Sequence, residues 1–308
     1  MIRQGVLTAI GNTPLVRLPF QTPAHVCAKL EFSNPGGSVK DRPALFLIEH
    51  AEREGILKRG GTIVEASSGN FGIALAMIGA AKGYRVIITT ATTTSADKIR
   101  ALESFGADVV RCPPTIFADD PENYRSVATA IHSKTAGSFM PDQFHNLLNP
   151  LSHYSWLGPE IWSQTQGKVT HLFAAAGSGG TVSGVGKFLK ERNTNIRIYA
   201  VDAAGSFYST GGKPVPYHLD GMGLDAEWPT LDTSVIDDVI PVYDEEGFSM
   251  MRELAHTHGT LVGPSSGAVA AAVTRSLGKF KKGDTIVMIF GDSGRSYFSK
   301  GYFCSQLS

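Results

Sequence analysis

The sequence predicts an α/β protein in which mostly parallel sheets are covered by helices. Three observations carry this reading. Strand-like and helix-like segments alternate through most of the chain. The strand-like segments are apolar and β-branched, with no polar face. Glycines, 34 among 308 residues, repeatedly fall directly after them. Strands buried on both faces read as such continuous apolar runs, and parallel pairing needs the crossover that an intervening helix supplies.

Taken in order, "TIVEA" (62–66) is a strand followed by "SSGNFGIALAMIGAAKG", a turn opening a helix of small residues. "YRVIITT" (84–90) is a buried strand, "SADKIRALESFGA" an amphipathic helix and "DVVRC" the next strand. "CPPTIFADDPENY" (112–124) reads as a surface loop before another helix. "QFHNLLNPLSHYSWLGP" (143–159) mixes prolines, aromatics and amides without a period and reads as a connector between two lobes. "THLFAAA" (170–176), "GSGGTVSGVGKFLKERN", "IRIYAVDA" and "DTIVMIF" (284–290) repeat the strand–helix alternation. No internal repeat or low-complexity segment interrupts it.

Composition narrows the function classes. The length suits one large or two medium domains. Lys+Arg 28 balances Asp+Glu 28, with no basic run, which removes the sequence-independent attraction that nucleic-acid binding needs. No apolar stretch is long enough to span a bilayer, and "MIRQGVLTAIGNTPL" lacks a signal-peptide core. Cys27, Cys112 and Cys304 are odd in number, widely spaced and fit no metal pattern. They imply separate thiols in a reducing, cytoplasmic compartment, with Cys27 and Cys112 filling apolar space.

One segment breaks a rule. In "NPGGSVKDRPALFLIEH" (34–50), Ser38 reads as a helix N-cap and Lys40 as the second residue beyond it. A cation is disfavoured there, where unpaired N–H groups already carry partial positive charge. Two loops add to the pattern, Ser67-Ser68-Gly69-Asn70 and Gly177-Ser178-Gly179-Gly180-Thr181, each set between a strand and a helix. Such loops aim backbone N–H groups and a helix dipole at an anion. A dinucleotide is one candidate for the second loop, because Asp202 follows at about the right distance. Val182, however, stands where the third glycine of that fingerprint belongs. An NAD(P) oxidoreductase therefore stays as an alternative. Pyridoxal phosphate is the other candidate, since it needs one phosphate cradle and one lysine amine for its Schiff base.

The motifs "GNTPLVRL" (11–18), "KLEFSNPGGSVKDRPA" (29–44), "SSGNFGIALA" (67–76), "GSGGTVSG" (177–184) and "GPSSGA" (263–268) occur in this order. Together they resemble the pyridoxal-phosphate β-replacement family of cysteine synthases and cystathionine β-synthases, from Gly11 to about Lys300. The resemblance implies a two-domain α/β fold of the tryptophan-synthase-β type with the cofactor in the interdomain cleft. A smaller mobile domain would span 40–140, and 1–39 with 141–308 would form the larger one. It further implies Lys40 as the Schiff-base lysine and α-proton base. Asn70, the loop Gly177, Ser178, Gly179, Gly180 and Thr181, and Ser265 would bind the cofactor, with Asp292 and Ser293 at its edge. Ser67, Ser68, Gly69, Asn70, Phe71 and Gln143 would form the substrate site. The implied partners are an amino acid and a sulfide or thiol nucleophile, and the implied assembly is a homodimer.

The implied reaction replaces the β-substituent of serine or an O-activated serine through an aminoacrylate. The first expectation is a cysteine synthase, joining sulfide to O-acetylserine. The alternatives are a cystathionine β-synthase-like reaction of serine with homocysteine, a phosphoserine-dependent synthase of diaminopropionate precursors, and a non-catalytic binding partner. "SVKDRPA" and a phosphate loop ending in threonine favour replacement over the deaminases of the same fold. Phe71 and Ser155-Trp156 depart from the cysteine-synthase pattern, which has threonine at 71 and a Thr-Thr pair at 155–156. "GRSYFSK" (294–300) is closer to cystathionine β-synthases. A bulky Phe71 beside the substrate loop would suit a nucleophile as small as sulfide. His145 and His153 are expected to hold the lobes together by hydrogen bonds.

Overall fold

A computed structural model describes residues 4–114 and 120–303. A short strand β1 (Leu15–Arg17) pairs antiparallel with β2 (His25–Leu30), which leads to helix α1 (Asp41–Arg53). The chain then alternates: β3 (Thr62–Ala66), α2 (Asn70–Lys82), β4 (Arg85–Ala91), α3 (Ala96–Ser104), β5 (Asp108–Cys112) and α4 (Tyr124–Lys134). β3, β4 and β5 form a parallel three-stranded sheet in that order. Each cap is where its side chain allows it. Ser95 accepts a hydrogen bond from Lys98 N at the start of α3, and Asn123 accepts one from Arg125 N at the start of α4.

The stretch 143–159 is mostly helical rather than an irregular connector. α5 (Leu148–Ser152) runs through a π-helical turn (His153–Leu157) into α6 (Gly158–Gln164). Pro150 and Pro159 and the wider turn erase the 3.6-residue period that would have betrayed it. β6 (His171–Ala175), α7 (Gly180–Arg192), β7 (Arg197–Ala203), β8 (Asp238–Val242), α8 (Asp244–His258), α9 (Pro264–Ser276) and β9 (Thr285–Phe290) follow. They complete a six-stranded sheet of order β1-β2-β9-β6-β7-β8, parallel except for β1. β9 is buried at every residue and α9 from Pro264 to Val273, so both read as apolar all round.

A buried ion network fixes the start of α1. Arg42 Nε meets Glu31 Oε2 at 2.6 Å and Arg42 Nη1 meets Glu160 Oε1 at 2.7 Å, while Lys29 Nζ meets Glu160 Oε2 at 2.8 Å. Thr13 Oγ1 donates to Glu31 at 2.6 Å, which closes the network. Against burial, which acts to raise it, the Arg42 and Lys29 contacts bring the Glu160 carboxyl down to about 2. α1 is thereby pinned to β2 and α6.

No helix among the described residues is long and apolar enough to cross a membrane. Cys112 is buried and Cys27 half-buried, both as free thiols, and Cys304 lies outside the described residues. The same holds for 115–119 of the loop expected at 112–124.

Candidate active site

Both sheets end their parallel strands at one cleft, the place where open α/β sheets hold ligands. The cleft has a volume of about 440 Å³ and is lined by residues of both.

Lys40 stands at its floor. It is the N-cap residue of α1 itself, and Ser38, expected to cap the helix, instead accepts from Lys40 N at 3.2 Å. The loop is moored to the end of β9, where Val39 N donates to Gly291 O at 2.8 Å and Ser38 bridges to Asp292. Among the described residues the Lys40 amine makes no hydrogen bond or ion pair. Part of the side chain faces the cleft, yet burial lowers its pKa from 10.5 to about 8. Burial also holds the neighbouring Asp41 up, at about 7.

The loop Gly177–Thr181 closes over the same point. Lys40, Gly177, Ser178, Gly179, Thr181 and Ser265 share a small cavity of about 40 Å³ that adjoins the cleft. Gly179 has φ +81° as the N-cap of α7, a conformation side chains rarely adopt. Gly180 lies against Asn149, whose Oδ1 would be 2.3 Å from an added Cβ, and is absent from the cavity wall. Behind the loop, Thr181 Oγ1 and His153 Nε2 are 3.2 Å apart, and Asn149 Nδ2 donates to Ser178 Oγ at 3.1 Å. Burial and the charges of Lys40 and Arg42 push His153 well below its ordinary 6.5, so it is neutral. His153 thus braces the loop from α5 and the π-turn, whereas His145 sits exposed beside Asp142 at 2.9 Å.

The first loop divides its residues. Ser68 is exposed, and Gln143 is buried with part of its surface on the cleft. Ser67 Oγ is occupied, accepting from Gly69 N at 3.3 Å and Gly72 N at 3.0 Å. Asn70 Nδ2 donates to Asp292 Oδ2 at 2.7 Å, and Tyr297 Oη donates to the same oxygen. Burial raises the Asp292 pKa. Ser293 does not line the cleft; its hydroxyl accepts from Arg295 N in a helical turn. Phe71 touches the cleft wall but is only 1% exposed and packs in the core of the three-stranded sheet. Ser155 and Trp156 are also remote from the cleft, with Trp156 edge-on to Phe46 at 5.2 Å.

Several cleft residues carried no sequence motif. Lys98 is buried beside Gly69, with its Nζ 4.5 Å from the Tyr297 ring centroid. Its signal was available: it falls with Ile99 and Leu102 on the buried face of α3, where a lysine is costly. Arg125, Trp228 and the segment around Tyr217–Asp225 also line the cleft. Asp202, the acid of the dinucleotide reading, is consumed inside the core. It accepts from Ser206 and Ser209, and from Leu224 N at 2.9 Å, which leaves it no free oxygen for a ribose.

The pocket thus offers an anion cradle at a helix start, an unpaired amine beside it, and a hydroxyl at Ser265. Those features fit pyridoxal phosphate. Comparison with known proteins points the same way. Residues 6–292 match the model of the pyridoxal-phosphate dependent enzyme family. A cystathionine beta-synthase of Apis mellifera is 40% identical over 97% of this chain and 61% of its own length. The chain spans between half and two thirds of such relatives. A cysteine synthase of Staphylococcus aureus is 41% identical over 94% of both chains. The crystal structure of an O-ureido-L-serine synthase superposes with a TM-score of 0.93 at 32% identity, covering all of this chain and 98% of the other. This chain belongs to the pyridoxal-phosphate dependent enzyme family.

Proposed function

We propose that the protein is a β-replacement enzyme acting on serine or an O-activated serine. The observation that carries the reading is the shared cavity of the Lys40 amine, the Gly177–Thr181 loop and Ser265, opening onto a cleft edged by Ser68, Asn70 and Gln143. Gly177 to Thr181 would hold the phosphate and Lys40 the aldehyde. When bound, pyridoxal phosphate supplies an electron sink that makes an amino acid's α-proton removable. The Lys40 amine, freed when the substrate's own amino group replaces it on the aldehyde, would take that proton, and burial, which lowers its pKa to about 8 in the cofactor-free chain, favours the neutral form that does so. The Cβ–O bond breaks with its electron pair on the departing oxygen. A nucleophile's lone pair then forms the new bond at Cβ, and Lys40 returns the proton to the α-carbon. Ser265 supplies a hydroxyl where an aspartate would strengthen the sink, which favours loss of the β-substituent over transamination.

Ser68, the start of α2 and Gln143 suit the substrate carboxylate, Ser67 acting as their brace. Two nucleophiles divide the class. Sulfide is supported by the likeness to the Staphylococcus aureus cysteine synthase over nearly its whole length. Phe71 lines the cleft but is only 1% exposed, so it separates the two nucleophiles weakly. A carboxylated nucleophile is supported by the Arg125 guanidinium in the cleft wall. A mobile domain at 40–140 and a homodimer belong to the same proposal, on the strength of the resemblance. Light scattering of the purified protein tests the dimer.

The deciding experiment mixes purified protein with serine, O-acetylserine or O-phosphoserine and follows the cofactor absorbance without a nucleophile. One donor should shift it rapidly, and Lys40→Ala should abolish the shift while keeping the fold. No response to any donor, or an undiminished one in Lys40→Ala, overturns the reading.

A further inference from the structure

Among the described residues, four cationic side chains line the cleft: Lys40, Lys98, Arg125 and Lys300. Lys98 lies over Tyr297, and its charge bears on Asp292. Lys300 Nζ donates to Thr93 O at 3.4 Å. Lys40 belongs to the cofactor pocket. Arg125 has no such assignment. Its guanidinium is 4.9 Å from the ring centroid of Phe144, 5.2 Å from Trp228 and 5.5 Å from Tyr124. Its Nε is buried without an acceptor, and the side chain makes no ion pair among the described residues. The described acids of the cleft do not answer it. Asp220 accepts from Tyr302 Oη at 3.1 Å, Asp225 from Tyr217 Oη at 2.7 Å, and Asp292 from Asn70 and Tyr297.

The Nε is sealed against the rings, but the two terminal Nη groups make no hydrogen bond among the described residues and are not buried, so their place in a ligand cleft points to an acceptor brought by the ligand. The ring faces restrict the guanidinium, so little freedom is left to lose on binding. The aromatic box is also tied to the cofactor loop. Phe144 and Trp228 pack at 4.7 Å, and Thr230 Oγ1 lies within hydrogen-bond distance of both Phe144 O and Ser178 O. A planar guanidinium matches a carboxylate through two parallel bonds, whereas hydrosulfide offers it a single point charge. In the reading above the donor's own carboxylate goes to Ser68, the start of α2 and Gln143, which leaves Arg125 for the second substrate.

We propose that Arg125, boxed by Phe144 and Trp228, is the specificity-determining residue for the second substrate, and that this substrate is a small thiol or amine bearing a carboxylate. The proposal rests on the β-replacement reading above and names the nucleophile class within it.

The test uses holoenzyme and a matched pair of probes, 3-mercaptopropionate and ethanethiol, which carry the same thiol with and without a carboxylate. Sulfide is the third nucleophile. For the wild type, kcat/KM for 3-mercaptopropionate should exceed that for ethanethiol by tenfold or more, corrected for the thiolate fraction of each. In Arg125→Leu the ratio should fall to about one, while the donor-induced absorbance change and the rate with sulfide stay unchanged. Arg125→Lys, keeping the charge without the fork, should recover part of the ratio. Glutarate should compete with the thiol in the wild type and lose that competition in Arg125→Leu. If the donor shifts the cofactor absorbance but the ratio is near one in the wild type, or survives in Arg125→Leu, the Arg125 assignment fails alone. If no donor shifts the absorbance, the β-replacement reading fails and this assignment falls with it. A variant whose circular dichroism or sulfide rate is lost marks Arg125 as structural and also overturns the proposal.

Discussion

Removing the Lys40 amine should stabilise the cofactor-free protein, in a way that depends on pH. A lysine whose pKa falls from 10.5 unfolded to about 8 folded carries a penalty for its charged form. At 1.36 kcal/mol per tenfold change in acidity, the fall corresponds to about 3 kcal/mol. Water reaching the amine through the cleft reduces this, so about 1–3 kcal/mol is expected. The penalty is fully present below pH 8, where both states hold the proton. Between pH 8 and 10.5 the unfolded chain binds more protons than the folded one, so wild-type stability rises with pH. Above 10.5 both are neutral and the penalty is gone. Lys40→Met, which keeps an unbranched side chain, should therefore raise the urea midpoint at pH 7 and give little gain near pH 10.5. Asp41 also titrates in the neutral range, at about 7, but does so in both proteins and cancels in the difference. Urea unfolding of stripped wild type and variant at pH 7, 8.5 and 10.5 measures this. A variant no more stable at pH 7, or a gain that persists unchanged to pH 10.5, would refute the claim that an uncompensated buried ammonium stands there.

Three further outcomes follow from the same structure. Arg42→Ala strands the Glu31 and Glu160 carboxylates and should cost about 3–5 kcal/mol in denaturant unfolding, against a loss near zero if the network were solvated. Burial raises the Glu65 pKa from 4.5 to about 8, so the folded state keeps a proton that the unfolded state releases between those values, and stability falls as pH rises across that window. Glu65→Gln retains an acceptor for Asp142 N, 2.8 Å away, and should gain about 2 kcal/mol at pH 9 and almost nothing at pH 4; equal gains at both pH values would sink the assignment. Thr181→Val removes the hydroxyl shared by the small cavity and His153, and should weaken pyridoxal phosphate binding about tenfold in a titration of stripped protein. Unchanged affinity would move the phosphate off this loop.

What was legible in the sequence was local, and what was missed was assembled across the chain. The loop at 177–181 is flanked by its own strand and helix, so its glycines announce a cradle before any folding is considered. Lys40 stood out because it violates the charge preference of the helix that follows it. Phe71 shows the limit of such reasoning. It is one residue beyond Asn70, but one residue of helix turns the side chain about 100°, so that most of it packs in the core of the three-stranded sheet and only an edge reaches the cleft wall. Ser155-Trp156 fails for the same reason, since a π-turn decides which way it faces. β1 has only three residues and pairs antiparallel with a strand itself unremarkable in sequence, so no period could reveal it.

Arg125 is the extreme case. Its box joins Tyr124, Phe144 and Trp228, which lie more than a hundred residues apart at their farthest, and no window of sequence contains them together. The proposed cofactor site and the proposed choice of nucleophile are thus written at different scales. The first needs a helix start, a loop and a lysine, each set by neighbours in the chain. The second depends on which side chains the tertiary fold brings to the cleft mouth, and there a donor without an acceptor says more than a motif. A single substitution at Arg125 should accordingly change what the enzyme joins to its substrate while leaving the Lys40 chemistry intact.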